Sequence, residues 1–223
     1  MSINSKQTIK CPECSNVSEI NVWSLITVED SQDLKDELLK GNINIFKCPE
    51  CSKKALLPTP LLYHDKEKKL LISFTPCNSE TEKQKLFSEI KKTSKESKEL
   101  ENFEDYNLRF VTSYDEILEK ILIFDNGLQD KVCEVLKVLI LMQEPEKAED
   151  RIAVFGKKEE NDLEFLVRDN KEGMFYTSKI PLSSYETIKE QLRQSGVKYK
   201  SFDWEIVDKN YGASLLRGVN NSL

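Results

Sequence analysis

Lys10-Cys11-Pro12-Glu13-Cys14-Ser15 recurs, residue for residue, as Lys47-Cys48-Pro49-Glu50-Cys51-Ser52. Each copy follows an apolar residue, Ile9 in the first and Phe46 in the second. A Cys-x-x-Cys turn places two sulfurs on one tight bend. Two such turns a few dozen residues apart supply the four thiolates of a tetrahedral zinc site. Cys11, Cys14, Cys48 and Cys51 are therefore the candidate metal ligands. Pro12 and Pro49 occupy the second position of each bend, where their fixed φ pre-forms the turn. The next backbone N–H groups are then free to point at the first sulfur. Ser15 and Ser52 stand where such turns commonly carry Gly, because that residue often needs positive φ. A strained or differently shaped turn is the expectation there.

The same residues bear on other readings of the four thiols. Disulfide pairing suits an oxidising compartment, whereas this chain shows no N-terminal signal pattern and reads as cytoplasmic, where thiols stay reduced. A thioredoxin-like redox pair expects one Cys-x-x-Cys in a βαβ setting, not two matched copies. A rubredoxin-like iron site shares the Cys-Pro-x-Cys turn, and spacing alone does not separate it from zinc. With all four positions filled by sulfur the site is closed, so its expected role is folding and not chemistry.

With 223 residues and 39% hydrophobic content, the chain can bury one large core or two small ones. Its longest apolar stretch, Val135 to Met142, is interrupted by Lys137 and falls short of a membrane span. A net charge of −6 argues against broad binding to nucleic acid or anionic membranes.

The pattern along the chain reads as α+β in four parts. Residues 1–76 form a zinc-ribbon-like module: a strand near Val17 to Trp23, then a short helix from Asp30 or Ser31 to Leu39 that ends at Gly41. Ile43 to Lys47 leads into the second turn. Ala55 to Tyr63 and Leu70 to Phe74 then read as a hairpin appended to the ribbon, turning through His64 to Lys68. Residues 77–107 are a Lys-, Glu- and Ser-rich connector, part exposed helix, with apolar anchors such as Leu86, Phe87, Ile90 and Leu100. Cys77 at its start has no partner at ligand spacing. Residues 108–145 begin with a short strand at Leu108 to Val111 and hold a helical pair. Its first helix opens on the capping box Ser113-Tyr-Asp-Glu116 and closes at Asn126-Gly127. The second runs from Leu128 to Met142, carries a buried Cys133 and stops at Glu144-Pro145. Its Ile and Leu stripe is core by default, with a dimer seam as the alternative. Residues 146–223 read as a small antiparallel sheet (Arg151 to Phe155, Leu163 to Val167, Met174 to Ile180) with helices. A helix starts at Pro181 and Ser183 to Glu186. A strand from Phe202 to Val207, a helix from Asn210 to Leu216 and a polar tail complete the chain.

The paired Cys-Pro-x-Cys turns, the stretch Leu61-Leu-Tyr-His-Asp65 with Glu67-Lys-Lys-Leu-Leu71, and the Ile117 to Leu136 helical pair resemble the CpXC family of bacterial and archaeal proteins. The resemblance covers residues 8 to about 142 and is looser in the last third. It implies a zinc-binding domain with Cys11, Cys14, Cys48 and Cys51 as ligands, and it implies no reaction.

Catalysis finds little support in the residues. The sole histidine, His64, lies beside Asp65 in the expected hairpin turn, so any enzyme mechanism built on histidine hangs on that one residue. The seven glycines are scattered singly, without a phosphate-cradling loop. A nucleic-acid-associated zinc ribbon is the second reading. Against it, the first arginine in the chain is Arg109, and the ten lysines of residues 1–76 are balanced by ten acidic residues. Four thiolates with Zn²⁺ would add about −2 more. Lys66, Lys68 and Lys69 are the candidate contact cluster; Trp23, Phe46 and Tyr63 are aromatic candidates that suit a core better. The leading expectation is a non-enzymatic interaction protein, whose metal module steadies a surface for a protein partner or a second copy.

Overall fold

A computed structural model describes residues 1–96, 103, 105–200 and 203–220. Leu100 of the connector, Phe202 at the start of the expected last strand and the end of the polar tail lie outside the described residues. The fold is α+β, and the chain forms two compact units: Met1–Leu118 with Phe202–Trp204, and Glu119–Ser201 with Glu205–Leu223.

In the first unit, strands β1 (Ile3–Lys10) and β2 (Val17–Thr27) form an antiparallel hairpin whose tip is the first cysteine turn. Helix α1 (Gln32–Leu39) follows, and Gly41 ends it at φ +71°, the left-handed cap that glycine adopts without a Cβ clash. Strands β3 (Ile45–Lys47) and β4 (Lys54–Leu56) form a second hairpin around the second cysteine turn. Lys10 faces Val17 in one ladder and Lys47 faces Lys54 in the other, so the two loops have the same length.

The expected strand from Ala55 to Tyr63 is two strands. Pro58 and Pro60 cannot donate to a ladder, and the chain between them leaves the ribbon. Past this break, β5 (Leu61–Asp65) pairs with β6 (Leu70–Phe74), and β6 with β7 (Asn107–Val111). The hairpin is therefore the middle of a five-stranded mixed sheet of order β1-β2-β5-β6-β7, more than an appendage to the ribbon. Leu25 to Thr27 of β2 pair in parallel with Leu62 to His64, which ties the first cysteine hairpin to the sheet. The turn itself spans Lys66 to Lys69. His64 and Asp65 belong to β5, not to the turn as the sequence suggests. The connector carries helix α2 (Glu80–Glu96).

Helix α3 (Tyr114–Asp125) begins in the first unit and continues into the second. Its capping box forms: Ser113 Oγ accepts from the Glu116 N–H at 3.2 Å, and Glu116 Oε2 accepts from the Ser113 N–H at 3.1 Å.

The second unit adds α4 (Asp130–Leu141), the antiparallel strands β8 (Arg151–Lys158), β9 (Asp162–Asp169) and β10 (Phe175–Pro181), and helices α5 (Leu182–Gln194) and α6 (Lys209–Asn220). β9 is the central strand. Val132, Cys133, Leu136 and Ile140 of α4 pack with Phe155, Phe165, Val167, Tyr185 and Leu192 in one core, so the apolar stripe of α4 is covered inside this unit. The alternative of a dimer seam on that stripe does not fit this burial. A Cβ on Gly212 would sit 2.6 Å from the Glu134 carbonyl oxygen, so only glycine lets α6 approach α4 this closely.

α5 begins behind Pro181, as expected, with Ser183 inside its first turn, where the Ser183 carbonyl accepts from Thr187 Oγ1. One expectation fails here. The expected strand from Phe202 to Val207 reduces, among the described residues, to a single bridge at Glu205.

Candidate metal centre

The two cysteine turns have the same backbone construction. Cys11 N–H donates to the Asn16 carbonyl at 2.8 Å and Ser15 N–H to the Cys11 carbonyl at 3.0 Å. In the second turn, Cys48 N–H donates to the Lys53 carbonyl at 2.9 Å and Ser52 N–H to the Cys48 carbonyl at 3.0 Å. Ser15 and Ser52 close these turns at φ +61° and +59°. The expected strain is present: left-handed backbone costs a residue with a Cβ about 1–2 kcal/mol more than it costs glycine.

The tips converge. Cys11, Cys14, Cys48 and Cys51 bring their sulfurs within 4.8 Å of one another. The shortest separations run across the two turns, 3.4 Å from Cys14 to Cys48 and 3.6 Å from Cys11 to Cys51. Tetrahedral zinc–sulfur bonds of about 2.3 Å would set the sulfurs about 3.8 Å apart, so the four atoms fit one ion of this kind. Cys11 and Cys48 are buried and Cys14 and Cys51 face solvent. Lys53 Nζ reaches Glu13 at 2.9 Å, an exposed ion pair that also joins one turn to the other.

The donor chemistry points the same way. Backbone N–H groups of Cys51 and Glu50 draw the Cys48 thiol down to about 6. Cys14 receives a backbone N–H from Asn16, yet the neighbouring Cys48 sulfur and burial hold it up at about 12. Four thiols this close cannot all ionise by themselves, and a divalent cation removes that conflict. Little else holds the tips together. Their buried core is Cys11, Phe46 and Cys48, with Ile9, Ile20, Ala55 and Leu57 packed against it.

A sequence model of the CpXC family, described as CpXC protein, matches residues 9–137, more than half of the chain. The chain belongs to the CpXC family. All four clustered cysteines fall inside the CpXC match, and the match ends within α4, so β8 to α6 lie beyond it. Comparison with curated proteins and with solved structures found no match.

Most of the other candidates of the sequence make contacts within this CpXC chain. His64 Nε2 lies 3.1 Å from Tyr106 Oη, and its ring packs near Phe103 and Tyr106. Burial lowers its pKa from the ordinary value. Asp65, one residue on, faces the opposite side of β5. Its carboxylate takes Lys35 Nζ at 3.2 Å, Tyr63 Oη at 3.3 Å and the Lys68 N–H at 2.9 Å. The Asp–His pair that a triad needs is not formed by these two residues. Two of the three turn lysines are engaged locally, Lys68 with Glu67 at 3.3 Å and Lys69 over the Tyr106 ring, while Lys66 donates its backbone N–H to Glu29 at 2.6 Å. Phe46 and Tyr63 are core residues, and Trp23 is half-buried.

Two features gave no sequence signal. Asn44, at φ +55°, accepts from the Trp23 N–H and donates to the Trp23 carbonyl, both at 2.8 Å. It thereby fixes the approach to the second turn against β2. In the second unit, Glu119, Lys120, Asp130, Glu134 and Lys137 form a buried ion network. Lys137 Nζ sits 2.9 Å from Glu119 and 3.0 Å from Glu134, and Lys120 Nζ sits 2.9 Å from Glu134 and 3.4 Å from Asp130. Glu119 Oε1 also accepts the Phe155 N–H, which anchors α3 to β8.

Among the described residues, no helix is long and apolar enough to cross a membrane.

Proposed function

We propose that this CpXC chain is a zinc-binding structural protein, with the metal held by Cys11, Cys14, Cys48 and Cys51, and that its output is contact with a protein partner. The observation that carries the reading is the convergence of four sulfurs within 4.8 Å at the tips of two hairpins with almost no core of their own. A small apolar cluster cannot supply the stability that metal–thiolate bonds can. Zinc, when bound, would link the two tips through closed four-sulfur coordination and offset about half of the charge of the four thiolates. Such a site leaves no open position for substrate, which supports a platform over a catalyst. Reduced thiols suit a cytoplasmic location.

Elemental analysis of the purified protein tests this. About one zinc per chain is expected, with loss of the metal in Cys14→Ser and Cys48→Ser. Stoichiometric iron would replace zinc in the proposal. Absence of metal after expression with zinc supplied would overturn it.

A further inference from the structure

The strands β8, β9 and β10 turn one face toward the core of their unit and the other toward solvent. Alternation puts Ala153, Phe155, Leu163, Phe165 and Val167 inside. The outward residues fall in three rows set by the register. Ile152, Arg168 and Phe175 form the first row; Val154, Leu166 and Thr177 the second; Lys157, Glu164 and Lys179 the third. This face is unusually apolar for one in water. Phe175 is 74% exposed, Leu166 50% and Ile152 44%.

Its charges are unevenly satisfied. Arg168 stands between Ile152 and Phe175 and pairs with no carboxylate among the described residues, while Glu164 is held loosely by Lys157 at 3.7 Å and Lys179 at 3.9 Å. Lys157 and Lys179 each sit closer to Glu159, at 2.8 Å, so two lysines and two acids cancel around the third row, and Glu164 is the carboxylate there that the positive first row of a second copy can meet. An axis along the strands would set Arg168 against Arg168 of a second copy and is disfavoured by like charge. An axis in the plane of the face and across the strands, through the middle row, reverses the rows instead. It brings Arg168 over Glu164 of the second copy, twice by symmetry. Leu166 and Val154 then meet their own counterparts. Phe175 receives Lys179 of the second copy, a cation over an aromatic ring, and Ile152 receives the methylene stem of Lys157.

We propose that the outer face of the β8–β9–β10 sheet joins two copies of this chain about that twofold axis. The inference rests on the reading of the chain as an interaction protein and names a second copy as the partner. A face three strands wide and five residues deep covers about 14 by 17 Å. With its side chains it buries on the order of 1,000 Å² over both copies, at the lower limit of specific interfaces. The dimer is accordingly weak, with a dissociation constant in the micromolar range.

Sedimentation velocity on the full chain, from about 1 μM to several hundred μM, tests the proposal. A reversible monomer–dimer equilibrium is expected. R168E and E164R, each alone, set like charges against each other and should weaken the dimer about tenfold or more. Mixed in equal amounts, the two variants restore both opposite-charge contacts, so the mixture should dimerise within a few-fold of the wild type. Leu166→Glu should abolish the dimer. Circular dichroism melting on each variant separates a lost interface from a lost fold. Zinc content measured on the same samples separates this proposal from the metal reading: a metal-loaded chain that stays monomeric throughout the range overturns the dimer alone. A dimer that survives Leu166→Glu, or a mixture no tighter than its components, would place the interface elsewhere and overturn it too.

Discussion

The cysteine hairpins and the interior of the second unit solve the same problem by different means. At the hairpin tips, three fully buried residues and a few half-buried neighbours stand beside four sulfurs that repel one another once ionised. In the second unit, beside a continuous apolar core, three carboxylates and two ammonium groups pair with one another in place. On the proposed reading, one region takes an external cation to reconcile its charges, whereas the other carries its cations, Lys120 and Lys137, in the chain. Stability of the first should follow metal supply, whereas that of the second should follow the integrity of a covalently present network.

The largest effect should come from removing a ligand. Structural zinc contributes apparent energies of about 10–16 kcal/mol in small zinc peptides, far beyond what the few apolar residues at these tips can replace. Cys48→Ser should therefore abolish metal binding and protection of the two hairpins, while the melting of the second unit stays near that of the wild type. Scanning calorimetry with zinc analysis reads both. Equal loss in both units would break the contrast.

Removing a cation from the other region should cost less but more than a surface change. Lys137→Met leaves Glu119 and Glu134 short of a buried partner, and should destabilise the second unit by about 3–5 kcal/mol with metal content unchanged. Denaturant titration monitored by far-ultraviolet circular dichroism checks this. Destabilisation under 1 kcal/mol would mean that the network is open to water.

Smaller still, relief of the left-handed serines should strengthen the metal module. Ser15→Gly with Ser52→Gly removes two Cβ clashes at φ +61° and +59°, for a gain of about 1 kcal/mol each. Competition with a chromophoric chelator should show correspondingly tighter zinc retention; weaker retention would mean that the serine side chains contribute more than they strain.

The smallest effect concerns His64, whose ring is unambiguous in NMR because the chain has one histidine. Burial disfavours its charged form, so its pKa in the folded state lies below the ordinary 6.5. A depressed pKa means that the unfolded chain binds the proton more tightly. The associated stability is complete above pH 6.5 and declines as pH falls through the folded value. A titration midpoint at or above 6.5 would contradict the packing described for the ring.

The parts of the molecule visible in the sequence are those governed by local rules. The Cys-Pro-x-Cys turns, the capping box at Ser113 and the glycine that ends α1 each depend on residue types at short fixed spacing. Strand β1 escaped because Ile3 to Lys10 is an exposed edge, and exposure on nearly every residue removes the alternation that marks a half-buried strand. Pro58 and Pro60 carried the break between β4 and β5, but the apolar run around them masked it. The partition of the hairpins into one five-stranded sheet depends on pairings between residues far apart in the chain, such as Leu25 with Leu62, which no local pattern encodes. The buried network was hidden for a different reason. Helical periodicity counts apolar residues, so Lys137 and Glu134 look like the solvent face of α4 until a neighbouring helix and strand cover them.

The central claim is that metal, and not core, holds the cysteine hairpins. Hydrogen–deuterium exchange followed by mass spectrometry, with the zinc-loaded protein compared before and after chelation, tests it most directly. Loss of protection across β1 to β4, with β8 to β10 and α4 unchanged, is the result expected. Retained protection at Cys11 to Asn16 and Cys48 to Lys53 after complete removal of the metal would contradict it.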